Sequence, residues 1–152
     1  MGQNPHIIEF KKVFNEIAYT QSRFAVFSDF VVMSGISIQN SIIKCPVLEQ
    51  EYLTIVSKYK KDDVIKMSHL LGCVVNGLSY GFCDFLGSVF MELEINSKSL
   101  AQIFTPYSLA QAISSFSVDD ALGKLSDSDF ITLSDPAVGG GSLVIAFAET
   151  ML

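Results

Sequence analysis

One segment near the end of the sequence restricts the fold more than any other. A short apolar run, 130–133, is followed by a glycine-rich turn, 135–142, and then by an apolar helical stretch, 143–152. Glycines let the backbone bend sharply and let a ligand lie against it, and the first turn of a helix offers unpaired N–H groups. The pattern predicts a strand, a loop and a helix, which together form half of a nucleotide-binding unit. A plain glycine-rich surface turn between a strand and a helix has the same pattern.

Two common phosphate-binding loops do not fit this turn. A P-loop ends in Gly-Lys-Ser or Gly-Lys-Thr, whereas Ser142 follows Gly141 directly. A dinucleotide-binding loop has a third glycine or an alanine where this chain has Val144. The carboxylate of Asp135, just before the turn, would also repel a pyrophosphate, but it suits a ligand that carries a positive amino group.

The composition indicates a chain with a sizeable core. Apolar residues make up 49% and charged residues 17% of the sequence, and the mean hydropathy is +0.40. The two most apolar stretches, 24–43 and 70–93, contain Asp29 and Asp84, and a carboxylate at the centre of a bilayer span costs about 3 kcal/mol. We therefore expect buried helices in both stretches and no membrane association.

The first 95 residues predict a helical lobe without strands. An amphipathic stripe opens the chain, with apolar side chains at the helical spacing of Ile7, Phe10, Phe14 and Ile17. Further helices are predicted up to residue 93, with a break at Cys45 because the residue before a proline leaves the α region. Asp62 or Asp63 is expected to cap one of them. We expect a helical lobe over 1–95 and a cofactor-binding region over 96–152.

The cysteines give no evidence of a disulfide framework or a metal site. There are three of them, and no C-x-x-C pair occurs. His69 and Cys73 are four residues apart and would share one face of a helix, but two ligands do not make a zinc site. The sequence therefore predicts packed thiols in a reducing cytoplasm and no metal.

The charge distribution makes this chain a poor DNA-binding surface by itself. The net charge is −6, and from Asp84 onward nine acidic residues face only Lys98 and Lys124. Arg23 is the one arginine in the sequence. Binding to DNA depends on clustered lysine and arginine that displace counterions.

Three segments resemble motifs of one enzyme family. The turn at 135–141 resembles the signature D-P-A-x-G-x-G, the segment 102–106 resembles G-Q-F-x-T-P, and the segment 84–90 resembles D-x-L-G-x-x-Y/F. In these motifs, in their order and in their spacing, the chain is similar over about 84–150 to the N6-adenine DNA methylase family. That family includes the methylation subunits of type I restriction-modification systems. The resemblance implies a mainly α chain whose helical lobe leads into a Rossmann-like α/β methyltransferase domain, beginning with its first strand, glycine-rich loop and helix.

The resemblance also implies an S-adenosylmethionine site. Thr105 would donate a hydrogen bond near the carboxylate end of the cofactor, although a threonine there is also a good helix N-cap before Pro106. Asp135 would face the amino group of the cofactor, and Pro136 would hold the turn rigid. The complete set of implied cofactor-binding residues is Phe104, Thr105, Pro106, Asp135, Pro136, Ala137, Gly139 and Gly141.

The catalytic motif of the family, N-P-P-Y/F, does not occur in this sequence. In the family it holds the flipped adenine by hydrogen bonds and by stacking. No catalytic residue is therefore assigned. We expect the N-terminal part of a DNA adenine-N6 methyltransferase, with weak or no cofactor binding by itself. The expected partners are DNA, bound through the complete protein, and a second copy or a specificity or restriction subunit.

The high hydropathy and the low charged fraction favour a second hypothesis. Apolar surface that the chain cannot bury invites association with another protein. Under this hypothesis the chain is a short helical interaction module whose glycine-rich loop is vestigial, and it has no catalytic activity of its own.

Overall fold

The computed structural model describes residues 4–17, 21–95 and 105–152, and every regular element in these ranges is an α-helix. The helices are α1 (Pro5–Phe14), α2 (Arg23–Ile43), α3 (Pro46–Val56), α4 (Lys61–Tyr80), α5 (Phe85–Glu92), α6 (Tyr107–Ser115), α7 (Val118–Ser126) and α8 (Ser142–Thr150). The prediction of a mainly α chain is confirmed over the described residues.

The predicted Rossmann-like α/β beginning is wrong. Residues 130–133 form no strand, and the described ranges contain no strand that could pair with them. A strand is stable only when a neighbour completes its ladder of hydrogen bonds, so an apolar run without a partner stays irregular. Phe130 is 71% exposed and Leu133 is 51% exposed, which shows that the apolar character of this run does not reflect burial in a sheet.

Local sequence signals set the ends of the first helices. The Asn4 side chain accepts a hydrogen bond from the His6 backbone N–H at 3.0 Å, and Pro5 occupies the first helical position of α1. Helix α2 ends at the left-handed Lys44 (φ 52°), just before the Cys45-Pro46 break that the sequence predicts.

The prediction for the start of α4 is wrong by a few residues. Lys60 occupies the N-cap position without a side-chain cap. Asp62 and Asp63, the predicted caps, lie inside the first turn instead. Carboxylates in that turn still interact favourably with the positive end of the helix dipole.

The large buried side chains of the described chain lie between residues 7 and 95. Helix α1 packs against α4 and α5, and α2 packs against α3 and α4. Six phenylalanines form the centre of this core, with ring centroids 5.3–6.4 Å apart: Phe10, Phe14, Phe27, Phe30, Phe85 and Phe90. Buried aromatic pairs of this kind contribute about 0.5–1.5 kcal/mol each beyond the burial of their area.

The part from residue 105 onward buries only small side chains. Helix α6 packs against α8 through Ala110, Ser114, Ser142 and Ala146, all of them buried. Ser114 Oγ donates a hydrogen bond to the Leu143 carbonyl at 3.5 Å. Small residues let two helix axes approach closely, so this pair brings the start of α8 close to α6.

Helix α2 is the one described helix that is long and apolar enough to cross a membrane. Only 22% of its most apolar window is buried, although Val26, Phe30, Met33 and Ile36 do face the core. Length and composition alone are weak evidence, because a core helix of a soluble protein meets the same criteria.

Candidate cofactor site

The glycine-rich segment forms two consecutive turns that end at the first residue of α8. Asp135 Oδ1 accepts a hydrogen bond from the Ala137 N–H at 2.9 Å, and the Gly141 N–H donates to the Val138 carbonyl at 2.7 Å. Gly139 has φ +52° and Gly141 has φ +82°. Both angles lie in the left-handed region that a side chain disfavours, which explains the need for glycine at these two positions.

A buried hydrogen bond ties this loop to the helical lobe. Ser142, the first residue of α8, donates from Oγ to Asp84 Oδ2 at 2.6 Å, and both residues are buried. The other carboxylate oxygen of Asp84 accepts from the Gly87 N–H at 2.8 Å and so caps α5. One carboxylate therefore joins the motif at 84–90 to the helix that follows the glycine-rich loop.

A cavity of about 230 Å³ lies beside this hydrogen bond, and we call it the Asp84 cavity. Its lining includes Asp84, Gly87, Ser88, Thr105, Pro106, Tyr107 and Ser142. The fold thus brings together residues of the segments 84–90 and 102–106, and Ser142, which directly follows the segment 135–141.

A second cavity of about 250 Å³, the Asp135 cavity, lies next to the same helix. Asp135 and Pro136 line it, together with Ser114 of α6 and Leu143 and Val144 of α8. The implied cofactor residues are therefore divided between two spaces: Thr105 and Pro106 border one, and the acidic turn borders the other. Each is smaller than the roughly 300–1,000 Å³ of typical ligand pockets.

The carboxylate of Asp135 has one oxygen without a partner. Oδ2 is shielded from solvent and accepts no hydrogen bond from any described residue. An unpaired polar atom that is hidden from water is costly, and a bound donor would relieve that cost. Asp135 Oδ2 is therefore available to accept a hydrogen bond from a donor group of a ligand.

The remaining implied residues are exposed, half-buried or outside the residues that the structure describes. Ala137 and Gly139 are exposed, Gly141 is half-buried, and Phe104 lies outside the described residues. Helix α6 begins at Tyr107 with Pro106 in the N-cap position and no side-chain cap, so the prediction of Thr105 as its N-cap is wrong. A start one residue later leaves the half-buried Thr105 to line the Asp84 cavity.

Sequence reasoning did not assign two residues that line the Asp84 cavity, Tyr107 and Ser142. Tyr107 Oη donates to Glu149 Oε2 at 2.7 Å, and Gln111 Nε2 donates to the same oxygen at 2.8 Å, which fixes α6 against the end of α8. Burial, and then the hydrogen bond to Glu149, raise the pKa of Tyr107 well above its usual range. Only the fold reveals the pairing of Ser142 with Asp84, because 58 residues separate them.

No family model, curated protein or solved structure matches this chain. The assignment of the site consequently depends on the three motif segments and on the geometry around the start of α8. Both sources point to the same part of the molecule.

Proposed function

We propose that this chain is the S-adenosylmethionine-binding part of a DNA adenine-N6 methyltransferase of the restriction-modification type, acting in the cytoplasm. The observation that carries the proposal is that the segments 84–90 and 102–106 line one cavity together with Ser142, which directly follows the segment 135–141. These segments are separated in the sequence, and nothing in their local patterns requires them to lie together.

Four residues would hold the cofactor. Asp135 Oδ2, shielded and unpaired, would accept a hydrogen bond from the ammonium group. Gly139 and Gly141 leave the backbone open to close approach. Thr105 would supply a hydroxyl donor from the Asp84 cavity. When bound, S-adenosylmethionine supplies an electrophilic methyl group; this chain binds and orients it, and no described residue is assigned a catalytic role.

DNA contact is assigned to other parts of the complete protein. The chain carries a net charge of −6, and an acidic surface repels the phosphate backbone. The same charge disfavours nucleoside triphosphates at the glycine-rich loop, since Asp135 stands where their phosphates would lie. Partners of the complete protein would be a second copy or a specificity or restriction subunit.

The proposal is tested by calorimetric titration of S-adenosylmethionine into the chain and into its Asp135→Asn variant. We expect weak binding, with a Kd of about 0.1 mM, and a loss of about tenfold in the variant, because a neutral amide cannot pair with an ammonium charge. The matched control is Asp129→Asn, which removes an exposed carboxylate six residues upstream and should leave the Kd unchanged. Equal Kd values for the wild type and Asp135→Asn, or tighter binding of ATP, would contradict the proposal.

A specific surface favours the second candidate function, a helical interaction module. Apolar side chains cluster where α2 ends and α3 begins: Ile38 is 59% exposed, Ile42 82%, Ile43 63% and Val47 76%. An exposed patch of this kind marks a surface for association. Light scattering at rising concentration tests it: this candidate requires assembly that Ile42→Lys abolishes, and a monomer at every concentration would exclude self-association.

A further inference from the structure

The packing of α1 against α4 brings together three side chains of different chemistry. Glu9 lies on α1, and His69 and Cys73 lie one turn apart on α4. Their ligating atoms, a carboxylate oxygen, an imidazole nitrogen and the thiol sulfur, all lie within 4.8 Å of one another. The His69 Nε2 and Glu9 Oε1 atoms already make a 3.0 Å contact.

The distances between the three atoms are close to those between the ligand atoms of a coordinated metal ion. In a tetrahedral zinc site with bonds of about 2.0–2.3 Å, neighbouring ligand atoms are about 3.3–3.8 Å apart. The three atoms here therefore need to move by about 1 Å or less to share one ion. The spacing of four residues on α4 places the His69 nitrogen and the Cys73 sulfur on one face of that helix.

We propose that Glu9, His69 and Cys73 bind one Zn²⁺ ion between α1 and α4, with a water molecule as the fourth ligand. The thiolate and the carboxylate together balance the charge of the ion, so the site is neutral when filled. Zinc accepts sulfur, nitrogen and oxygen ligands at once, whereas Mg²⁺ and Ca²⁺ prefer oxygen alone. The proton of the Cys73 thiol passes to solvent when the Zn–S bond forms.

The burial of the three side chains suits an ion that enters from solvent. Cys73 is 2% exposed and anchors the inner end of the site, while the side chains of Glu9 and His69 are 49% and 52% exposed. The filled site would clamp α1 to α4 across 60 residues of sequence.

The experiment titrates Zn²⁺ alone against the full chain, in the presence of a chromophoric chelator and a phosphine reductant that does not bind zinc. We expect one ion per chain and a higher Tm in the zinc-bound form. Co²⁺ in place of Zn²⁺ should produce a thiolate-to-metal charge-transfer band, which reports directly on the Cys73 sulfur.

Two surface variants avoid the problem that Cys73→Ser could disturb the core. His69→Gln and Glu9→Gln each remove one ligand from a half-exposed position. Each should weaken zinc binding by more than the roughly 10- to 100-fold that the loss of an outer-shell partner costs. The matched controls His6→Gln and Cys45→Ser remove the same residue types elsewhere and should leave the affinity unchanged. A wild type that binds no zinc, affinity that survives His69→Gln, or a cobalt complex without the thiolate band would each overturn the proposal.

Discussion

At the scale of single residues, Asp84 has the greatest structural effect on the site. Its carboxylate caps α5 through the Gly87 N–H and accepts the hydrogen bond from Ser142, and its carbonyl accepts another from Ser88 Oγ at 2.7 Å. A side chain 4% exposed with both oxygens occupied is held in a single position. The contact between the helical lobe and α8 depends on that position.

Gly87 is a position where a larger side chain would disturb this arrangement. A methyl group at Gly87 would overlap the Asp84 carboxylate, which cannot move aside without losing its two hydrogen bonds. We expect Gly87→Ala to lower the free energy of unfolding by about 1–3 kcal/mol. Gly72→Ala is the control: Gly72 lies inside α4 with open space around it, so alanine there should add about 0.5–1 kcal/mol. Urea unfolding measures both, and equal stability of Gly87→Ala and wild type would refute the overlap.

The sequence predicts some of these residue roles and not others. The cap at Asp84 follows from a carboxylate directly before an apolar helical stretch, and the glycine positions at 139 and 141 follow from the need for a sharp bend. The pairs Asp84–Ser142 and Glu9–His69 could not be predicted, because they join segments about 60 residues apart. Sequence patterns describe local geometry, and such contacts depend on how helices pack.

At the scale of elements, the helices follow from local sequence signals, whereas the strand predicted at 130–133 does not form. The helical stripe of α1 and the proline break before α3 are local signals, and the structure follows them. The run at 130–133 has strand composition, but the preference for a strand depends on neighbours that the pattern cannot supply. The irregular conformation of this run is the reason that the α/β expectation failed.

Hydrogen exchange tests that conformation directly. We expect the backbone amides of 130–133 to exchange nearly as fast as in an unstructured peptide, because exposed groups without a ladder have no protection. The amides in the middle of α4, which contributes Leu70 and Cys73 to the core, should be strongly protected and serve as the internal reference. Protection of 130–133 comparable to that of α4 would mean that a strand pairing exists.

At the scale of the whole molecule, two half-buried tyrosines link the stability of the chain to alkaline pH. Tyr59 Oη contacts Asp29 Oδ2 at 2.8 Å, and Tyr107 Oη contacts Glu149. Burial first, and then these carboxylates, raise the pKa of both phenols above their usual value. The neutral phenol is therefore the form that the folded state favours.

The sign of the pH dependence follows from this shift. An unfolded tyrosine loses its proton near pH 10, so the contribution of both phenols is complete below about pH 10 and falls as the pH rises above it. Urea unfolding at about pH 8 and about pH 11 measures this effect. Between these two pH values, the free energy of unfolding should fall less for the double variant Tyr59→Phe/Tyr107→Phe than for the wild type. An equal fall in the free energy of unfolding of the wild type and of the double variant would contradict this explanation.

The described molecule has a phenylalanine-rich core and a pair of helices, α6 and α8, that pack through small residues. The candidate site lies where these two parts meet. The helical lobe supplies Asp84, α8 supplies Ser142, and Thr105 lies just before α6. Because the Asp84 and Asp135 cavities are both small, we expect weak binding at this one location.

Titration with S-adenosylmethionine, followed by two-dimensional ¹H–¹⁵N NMR, is the most direct test of that claim. We expect the amide signals of 135–142 and of Thr105 to shift progressively with S-adenosylmethionine, and ATP at the same concentration to leave them in place. Shifts caused by ATP and not by S-adenosylmethionine, or signals of the glycine-rich loop that do not move at any ligand concentration, would contradict it.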